Sequence, residues 1–456
     1  MSATSIQRPP IVRRPPGPSR ASALRLLPRM VRNRLEVMAW AVAEYGEAVR
    51  VPLGPKTLYL FNHPDHARHI LVDNVANYTK GIGLTHARRV IGDGLLTSEG
   101  ELWRKQRRVI QPVFQAKRLA RQTDAIALEA EALVARLRRR AGLGPVDMRE
   151  EMTGLTLGVL GRTLIDADLG AFEAMGEAFE MVQDQAMFEM MSLGTVPLWL
   201  PLPRTQRFKK ARRYLQEVTD SLAADRKANP DGLGDDIVSR LIESVKEESD
   251  PQVGRERMRD ELVTLLLAGH ETTASTLSWA LHLLDRHPEV RERVHEEAVE
   301  VFSRGPVDSA ALHGFTYTSM VLEEVMRLYP PVWLLTRIAK EADDIGGFAV
   351  PAGADVIVSP YLLHRNPNWW PDPDRFDPER FASDSRAGRE RYSYIPFGAG
   401  PRFCVGNNLG MMEATIVLAA MCRDLTLTSV PGHQVEGEPM LTLRVRGGFP
   451  MNVAVR

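Results

Sequence analysis

The spacing of apolar residues limits the folds open to this sequence more than any other feature. From residue 63 to about residue 327 the pattern is mostly helical, and residues 256–286 show it best, because leucines recur there three or four positions apart. His287-Pro288 ends that stretch, and another helical pattern follows. A second long pattern, residues 116–140, is rich in Ala, Leu, Arg and Glu. The sequence therefore predicts a largely helical core.

Strand-like runs lie on both sides of this helical region. "AVRVPLG" and "TLYLFN" come before it, and short strands alternate with turns after Tyr329-Pro330-Pro331. A last helix, about residues 406–423, precedes a β-like tail, "LTLRVRGGFPMNVAV". We expect a mainly α fold with a minor β part. One catalytic domain should span residues 21–456, behind a flexible arm, residues 1–20, that is rich in Pro and Arg.

Composition excludes several classes of protein. The 456 residues include 58 basic and 58 acidic side chains, so no overall charge favours nucleic acid as a partner. Only Cys404 and Cys422 are present, which excludes a disulfide framework and favours the reducing cytoplasm. No apolar run is long enough for a transmembrane anchor.

One of the two cysteines lies in an unusual loop, "FGAGPRFCVG", residues 397–406. Glycines at 398, 400 and 406 allow tight turns and close approach to a flat group. Cys404 precedes a helix, whose free N–H groups favour a negative sulfur, and Arg402 could reach an acidic group on a cofactor. Zinc fits poorly because no Cys/His cluster surrounds Cys404. An inert buried cysteine is the usual interpretation of a lone cysteine, and Cys422 is assigned no role.

A second unusual stretch, "AGHETT", lies inside the leucine-rich helix at residues 268–273. Glycine weakens a helix by roughly 0.5–1 kcal/mol relative to alanine. Threonine hydroxyls can bond to the carbonyl one turn earlier and bend the helix. Together they could open a local groove, beside which an acid and a hydroxyl could relay protons. Taken alone, the stretch fits an ordinary bend with an exposed glutamate at least as well.

Two further pairs lie one helical turn apart. Glu324 and Arg327 in "EEVMR" can form an ion pair, although this spacing usually marks a surface pair. Trp103 and Arg107 in "WRKQR" share one side of a helix, and such a basic helix is commonly a solvated surface.

"FGAGPRFCVG" resembles the haem-binding loop of the cytochrome P450 family, Phe-Gly-x-Gly-x-Arg-x-Cys-x-Gly, at every fixed position. The resemblance extends over nearly the whole chain, through "AGHETT", "EEVMR" and "PERF" (residues 378–381). It implies the family fold, with haem b between the long central helix and the helix after the cysteine. Cys404 would then be the axial thiolate ligand of the iron.

The resemblance also implies roles for other residues. Those that would contact haem are Phe397, Gly406, Ala268 and Gly269, with Trp103, Arg107, Arg337 and Arg402 at its propionates. Thr272 would hydrogen-bond the oxygen and Glu271 would help to deliver protons, whereas His270 falls at a variable position. Glu324 and Arg327 would join Arg380 of "PERF" in an internal charge network that braces the cysteine loop.

The implied activity is that of a haem-thiolate monooxygenase. It would activate O2 to hydroxylate or epoxidise a hydrophobic small molecule such as a terpenoid, polyketide, steroid or fatty acid. Reducing equivalents from NAD(P)H would arrive through a ferredoxin and its reductase, with Arg104, Lys105 and Arg108 as a basic docking surface. We expect a cytoplasmic monomer. The alternatives are a peroxygenase or isomerase of the same fold, or a non-catalytic haem sensor.

The substrate-binding region is suggested by a cluster of methionines. "MGEAFEMVQDQAMFEMM", residues 175–191, fits a helix core best, although in the family this region covers the active site. "VWLL" (residues 332–335) and the loop from residue 78 to residue 96 should also line the pocket.

Overall fold

The computed structural model describes residues 13–53, 56–169, 174–192, 195–228, 234, 236–246 and 248–456. Within them the chain is mainly helical with small β-sheets, as the sequence predicts. The α-helices are α1 (Arg20–Arg32), α2 (Arg34–Tyr45), α3 (Pro64–Arg68), α4 (Leu84–Ile91), α5 (Gly100–Ile110), α6 (Ala116–Leu119), α7 (Thr123–Arg140), α8 (Met148–Leu160), α9 (Met175–Met191), α10 (Pro203–Ala228), α11 (Ile237–Ser244), α12 (Pro251–Arg286), α13 (Pro288–Ser303), α14 (Thr316–Leu328), α15 (Pro360–Leu363), α16 (Ser383–Arg386) and α17 (Asn407–Asp424). The strands are β1 (Ala48–Leu53), β2 (Lys56–Phe61), β3 (Tyr78–Lys80), β4 (Val146–Asp147), β5 (Leu335–Ala339), β6 (Asp343–Ile345), β7 (Phe348–Val350), β8 (Asp355–Val358), β9 (Leu425–Ser429), β10 (Gly437–Pro439), β11 (Leu443–Val445) and β12 (Pro450–Val455).

Most of the predicted elements are confirmed. The two strand-like runs near the start are β1 and β2, the leucine-rich pattern is α12, and the helix after the cysteine loop is α17. The second long helical pattern, residues 116–140, is divided into two helices, α6 and α7. The Thr123 hydroxyl donates a 3.1 Å hydrogen bond to the Ala120 carbonyl at the junction, so a side chain closes the turn.

The chain forms two compact units. The first comprises Met1–Ile82, Leu334–Pro373 and Glu390–Phe403, and the second comprises the remaining residues. One catalytic domain over residues 21–456 stays a prediction.

A five-stranded sheet, ordered β1-β2-β8-β5-β3, forms the centre of the first unit. β2 and β8 are parallel, with Phe61 opposite Val358, and the other neighbours are antiparallel. Because side chains alternate along a strand, Phe61 and Val358 pack into one buried cluster while Leu60 and Ile357 pack into another. The sheet is therefore buried on both faces and supports β5, which carries Arg337.

Helix α12 runs through the core of the second unit. It packs against α8, α14 and α17, and its Trp279 is almost completely buried. Gly410 of α17 lies close to Thr273 of α12, with 3.6 Å between the threonine hydroxyl and the position that a Cβ at 410 would take. These contacts hold the predicted oxygen-binding helix and the helix after Cys404 side by side.

Part of the predicted arm is ordered. Residues 1–12 lie outside the described residues, but the Arg13 backbone exchanges hydrogen bonds with Gly347 and Ala349, and the Arg50 N–H donates to the Pro16 carbonyl at 2.7 Å. Residues 13 and 16 therefore contact the rest of the first unit, and the flexibility of residues 1–20 stays a prediction. No helix among the described residues is both long and apolar enough to span a membrane.

Candidate functional site

Cys404 lies just before α17, whose N-cap residue is Gly406. Its Sγ accepts hydrogen bonds from the backbone N–H groups of Gly406 and Asn407. The side chain is accessible to solvent, yet enough protein surrounds the sulfur that burial raises the pKa of the thiol. The two backbone donors and the Arg107 charge oppose that increase. Donors at a helix start, aimed at an accessible sulfur, stabilise its anionic form.

The three glycines of the cysteine loop serve different purposes. Gly398 and Gly400 have φ angles of 73° and 69°, which residues with a Cβ rarely adopt. A Cβ at Gly400 would also collide with the Leu71 carbonyl oxygen. Gly406 has an ordinary φ of −88°, so the tight turn predicted at this position is not the reason for its glycine. It lies instead against the Cys404 sulfur, which would be 3.9 Å from an added Cβ.

The predicted basic helix places Arg107 within electrostatic reach of the cysteine. Trp103 and Arg107 are half-buried on α5, whereas Arg104, Lys105 and Arg108 are exposed. Burial lowers the pKa of Arg107, and the charge interaction with Cys404 raises it. The Arg107 Nε also donates to the Gln111 side chain at 3.2 Å.

Three more of the predicted haem-binding residues belong to the first unit: Arg337, Phe397 and Arg402. Arg337 is buried in β5, and its Nη1 donates to the Thr336 carbonyl at 2.8 Å. Phe397 and Phe403 have ring centroids 6.2 Å apart, and Arg402 lies in a 3₁₀ turn, Gly400–Arg402. The roles of Arg337, Phe397 and Arg402 stay predictions.

The surroundings of Cys404 fit an iron-ligating thiolate. Such a sulfur must be accessible, must carry negative charge and needs hydrogen-bond donors that tune it. Cys404 has two backbone donors, a nearby cation and an accessible side chain. Cys422, by contrast, is buried within α17, and burial raises the pKa of its thiol to about 12. The backbone donors and the accessible sulfur therefore distinguish Cys404 from Cys422, and Cys404 is the cysteine that meets the chemical requirements of a haem ligand.

The "AGHETT" stretch lies on a partly exposed stripe of α12. Ala268 is exposed and Leu265, Gly269 and Thr272 are half-buried, whereas most neighbouring residues of this helix are buried. The Thr272 hydroxyl donates to the Ala268 carbonyl at 2.9 Å, but α12 continues without interruption. The stretch therefore presents an accessible stripe rather than the groove in the helix that the sequence suggests. Glycine at 269 allows close packing of α8, since an added Cβ would lie 2.9 Å from the Leu160 side chain.

Glu271, the neighbour of Thr272, points into a polar interior. It is buried, and its Oε1 accepts a 2.8 Å hydrogen bond from the Thr442 hydroxyl. Burial raises its pKa to about 7, while Thr442 and the charges of Arg444 and Arg149 oppose the increase. The carboxyl group can therefore take up or release a proton near neutral pH. The exposed glutamate of an ordinary helix bend is excluded.

The residues that surround Glu271 were not predicted from the sequence. Thr442 and Arg444 come from the β10–β11 hairpin, Arg149 from α8 and Gln183 from α9. The Arg444 Nη1 lies 3.5 Å from the Gln183 side-chain oxygen. No local pattern marks these residues, because only the fold brings three separate elements, the hairpin, α8 and α9, to one carboxyl group.

Glu324 and Arg327 form a fully buried ion pair in α14. Two guanidinium nitrogens of Arg327 donate to the two carboxylate oxygens at 2.6 and 2.7 Å. The Asp377 N–H donates to Glu324 at 2.9 Å, and the Arg380 Nε lies 3.6 Å from the same carboxylate. Arg327 also donates to the Arg375 carbonyl at 3.0 Å. The three predicted members are thus brought together, and the segment from 375 to 380 is attached to α14.

Comparison with known proteins agrees with these observations. Residues 15–446 match the family model described as Cytochrome P450. The chain is 35% identical to cyclooctatin synthase of Streptomyces melanosporofaciens over 91% of its own length and 90% of that protein. It is 34% identical to cyclooctat-9-en-7-ol 5-monooxygenase of the same organism (88% and 86% covered). It is 30% identical to pentalenene oxygenase of Streptomyces avermitilis (91% of each). The chain therefore belongs to the cytochrome P450 family of haem-thiolate monooxygenases.

Proposed function

We propose that Cys404 is the axial thiolate ligand of haem b and that the enzyme oxidises an apolar, terpenoid-like small molecule. The bound haem supplies the activation of O2 and the insertion of one oxygen atom into a C–H or C=C bond. The observation that carries the proposal is the pair of backbone N–H donors on the accessible Cys404 sulfur. Trp103, Arg107, Arg337 and Arg402 would hold the propionates, because guanidinium groups pair well with partly buried carboxylates. Phe397, Gly406, Ala268 and Gly269 would line the haem.

The ligand assignment can be tested with the two cysteines as a matched pair. The carbon monoxide difference spectrum of the reduced parent protein should show the strongly red-shifted Soret band of a thiolate-ligated haem. Cys404→Ser should lose that band, whereas Cys422→Ser should retain it, because Cys422 is buried within α17. A red-shifted band in Cys404→Ser, or its absence from the parent, would contradict the assignment.

We assign proton handling to Glu271 and Thr272. A carboxyl group with a pKa of about 7 can hold a proton and release it at working pH. The Thr272 hydroxyl lies on the accessible stripe of α12, where a substrate or oxygen could reach it. Because the Thr442 hydroxyl occupies Oε1 of Glu271, a proton passed toward Thr272 would leave from Oε2 unless the side chain moves.

Thr272→Ala tests this assignment. It should bind haem and substrate normally but form less product and more hydrogen peroxide for each NAD(P)H consumed. Thr276→Ala is the matched control, because the Thr276 hydroxyl makes the same bond to the carbonyl one turn earlier and is buried. Unchanged coupling of electron use to product in Thr272→Ala would remove Thr272 from the proton path.

The substrate class is supported by the relatives and by α9. Pentalenene and cyclooctat-9-en-7-ol appear in the names of two relatives. In α9, Met175, Phe179 and Met187 are buried, and the Met190 side chain packs against Gly83, which lies within the predicted loop from residue 78 to residue 96. A panel of sesquiterpene and diterpene hydrocarbons and alcohols should shift the haem spectrum at micromolar concentrations. If only charged, polar ligands did so, the proposed substrate class would be wrong.

We propose electron supply from NAD(P)H through a ferredoxin and its reductase to a monomeric, cytoplasmic enzyme. The exposed cations Arg104, Lys105 and Arg108 on α5 support docking of an acidic partner. Replacing all three with Gln should reduce the rate of ferredoxin-supported turnover at low salt and weaken its salt dependence. Turnover driven by added hydrogen peroxide, which bypasses the ferredoxin, should be unaffected.

A further inference from the structure

Helix α1 carries an exposed apolar stripe. Leu24, Leu27 and Val31 are 57%, 40% and 67% exposed, and their spacing of three and four residues places them on one side of the helix. The buried side of α1, where Ala23 is 1% exposed and Leu26 and Met30 are half-buried, is centred about 100° around the helix from the stripe, and the helix packs on α2 and β1. The stripe is therefore not the side that α1 uses for folding.

Arginines border one side of this stripe. Arg25 and Arg32 are exposed and follow Leu24 and Val31 by one residue, which places them about 100° around the helix from those residues, whereas the exposed Arg29 lies on the far side of the helix. Arg13, Arg14 and Arg20 are also exposed, and no acidic residue occurs between residues 13 and 35. Glu36 pairs with Arg29 at 2.8 Å, but both side chains are more than half exposed, so solvent screens the pair. Residues 13–35 therefore carry a strongly positive charge.

We infer that α1 binds the surface of a membrane that contains anionic phospholipids. Aliphatic side chains on one side of a short helix can enter the boundary between headgroups and acyl chains, while flanking arginines contact lipid phosphates. At 13 residues, α1 is about 20 Å long and would lie on a bilayer rather than span it. The stripe is purely aliphatic, whereas a protein-docking surface typically has aromatic anchors at its centre. Such attachment would bring an enzyme for apolar molecules to the phase in which they dissolve.

Flotation of the haem-loaded enzyme with vesicles tests the inference. Vesicles of phosphatidylglycerol and phosphatidylcholine in equal parts should bind the enzyme at low salt, and binding should weaken as salt rises. Pure phosphatidylcholine should bind it at least about tenfold more weakly, because the electrostatic attraction is absent. The triple variant Leu24→Glu, Leu27→Glu, Val31→Glu should lose at least about tenfold in binding to the mixed vesicles, since the inserted aliphatic area is removed.

Two matched controls separate α1 from general surface effects. The variant Leu128→Glu, Leu143→Glu, Val299→Glu changes three exposed aliphatic residues elsewhere and adds the same charge, and it should bind as the parent does. Replacing Arg25, Arg29 and Arg32 with Gln should weaken binding about tenfold or more. The same replacement at Arg207, Arg212 and Arg213, exposed arginines of α10, should have little effect.

Several outcomes would overturn the inference. One is that the parent does not bind the mixed vesicles at low salt. Another is that the α1 variants and their controls lose vesicle binding equally. A third is slower ferredoxin-supported turnover in the α1 variants without any vesicle binding, which would identify a protein-docking surface. A fourth is binding only after removal of residues 1–12, which would mean that the chain itself covers the stripe. All variants should keep the red-shifted Soret band, so loss of folding is detected separately.

Discussion

Two buried glutamates of the second unit have opposite surroundings. Glu324 on α14 is completely buried and pairs directly with a charged group, because its carboxylate accepts two hydrogen bonds from Arg327, at 2.6 and 2.7 Å. A third hydrogen bond comes from the Asp377 N–H. Glu271 on α12 is also buried, but the hydrogen bond to its Oε1 comes from the neutral Thr442 hydroxyl. The charges of Arg149 and Arg444 act on Glu271 at longer range.

Burial raises the pKa of both carboxyl groups, and their partners determine whether each group keeps its charge. At Glu324 the Arg327 and Arg380 charges act against the increase, so the ion pair persists at neutral pH as a rigid attachment. At Glu271 the groups that oppose the increase are the Thr442 hydroxyl, the Gln183 side chain and the charges of Arg444 and Arg149, and the pKa is about 7. Direct pairing with arginine thus suits a structural role, and a neutral hydroxyl partner suits proton exchange.

The largest expected effect is the loss of the Glu324 pair. Arg327→Met should lower the free energy of unfolding by about 3–5 kcal/mol, because it leaves a buried carboxylate without its charged partner. Urea unfolding monitored by circular dichroism would measure this. The control is Arg304→Met, whose pair with Glu300 is more than 60% exposed on both sides, and it should cost less than about 1 kcal/mol. Equal losses would mean that the buried pair is no more important than a surface pair.

Glu271→Gln should affect turnover instead of folding. Glutamine can still accept the Thr442 hydrogen bond but cannot release a proton, so product formation should decrease about 10²-fold. The free energy of unfolding at pH 7 should not decrease. Product formed per minute at saturating substrate and reductant is the measurement, with Glu289→Gln, an exposed residue of α13, as the control. Parent-like turnover would remove Glu271 from the proton path.

Much of the fold could be predicted because its elements have local causes. The leucine spacing of α12, the proline that starts α13 and the glycine loop before α17 are all local patterns. The break between α6 and α7 could not be predicted, because an Ala- and Arg-rich stretch contains no proline or glycine to mark it. It depends on a threonine side chain that bonds a carbonyl three residues earlier.

The residues of the candidate site differ in the same way: local sequence patterns mark some of them, and tertiary structure alone brings the others together. Cys404 and its backbone donors lie within four residues of one another, and Glu324 and Arg327 lie one turn apart, so the sequence could indicate both. Arg380 was predicted only through the family resemblance. The surroundings of Glu271 depend on Thr442, Arg444, Arg149 and Gln183, which reach it through tertiary structure alone. The sequence could therefore indicate a proton-relaying acid but not a pKa near 7.

The raised pKa of Glu271 should also make the free energy of unfolding depend on pH. Its value of about 7 in the folded protein exceeds the ordinary carboxyl value of about 4.5, so the folded state keeps a proton that the unfolded chain releases. Stability from this group should therefore decrease as pH rises from about 4.5 to about 7 and level off above that. Between pH 5 and pH 8 the parent should lose roughly 2–3 kcal/mol relative to Glu271→Gln, in which position 271 does not titrate. A difference that is independent of pH would indicate that Glu271 is ionised throughout.

The smallest expected effect concerns the neutral partner itself. Thr442→Val removes the hydroxyl that stabilises the Glu271 carboxylate, so the pKa of Glu271 should rise further, by about half to one pH unit. The pH at which the turnover rate is half-maximal should move upward by the same amount. Thr442→Ser keeps a hydroxyl at this position and should leave the profile unchanged, which separates the hydrogen bond from the packing of the β10–β11 hairpin. If valine and serine shifted the profile equally, packing would be responsible. If neither did, burial and the opposing Arg149 and Arg444 charges would set the Glu271 pKa without a contribution from the hydroxyl, and the contrast with Glu324 would depend on its direct arginine pairing rather than on the Thr442 hydroxyl.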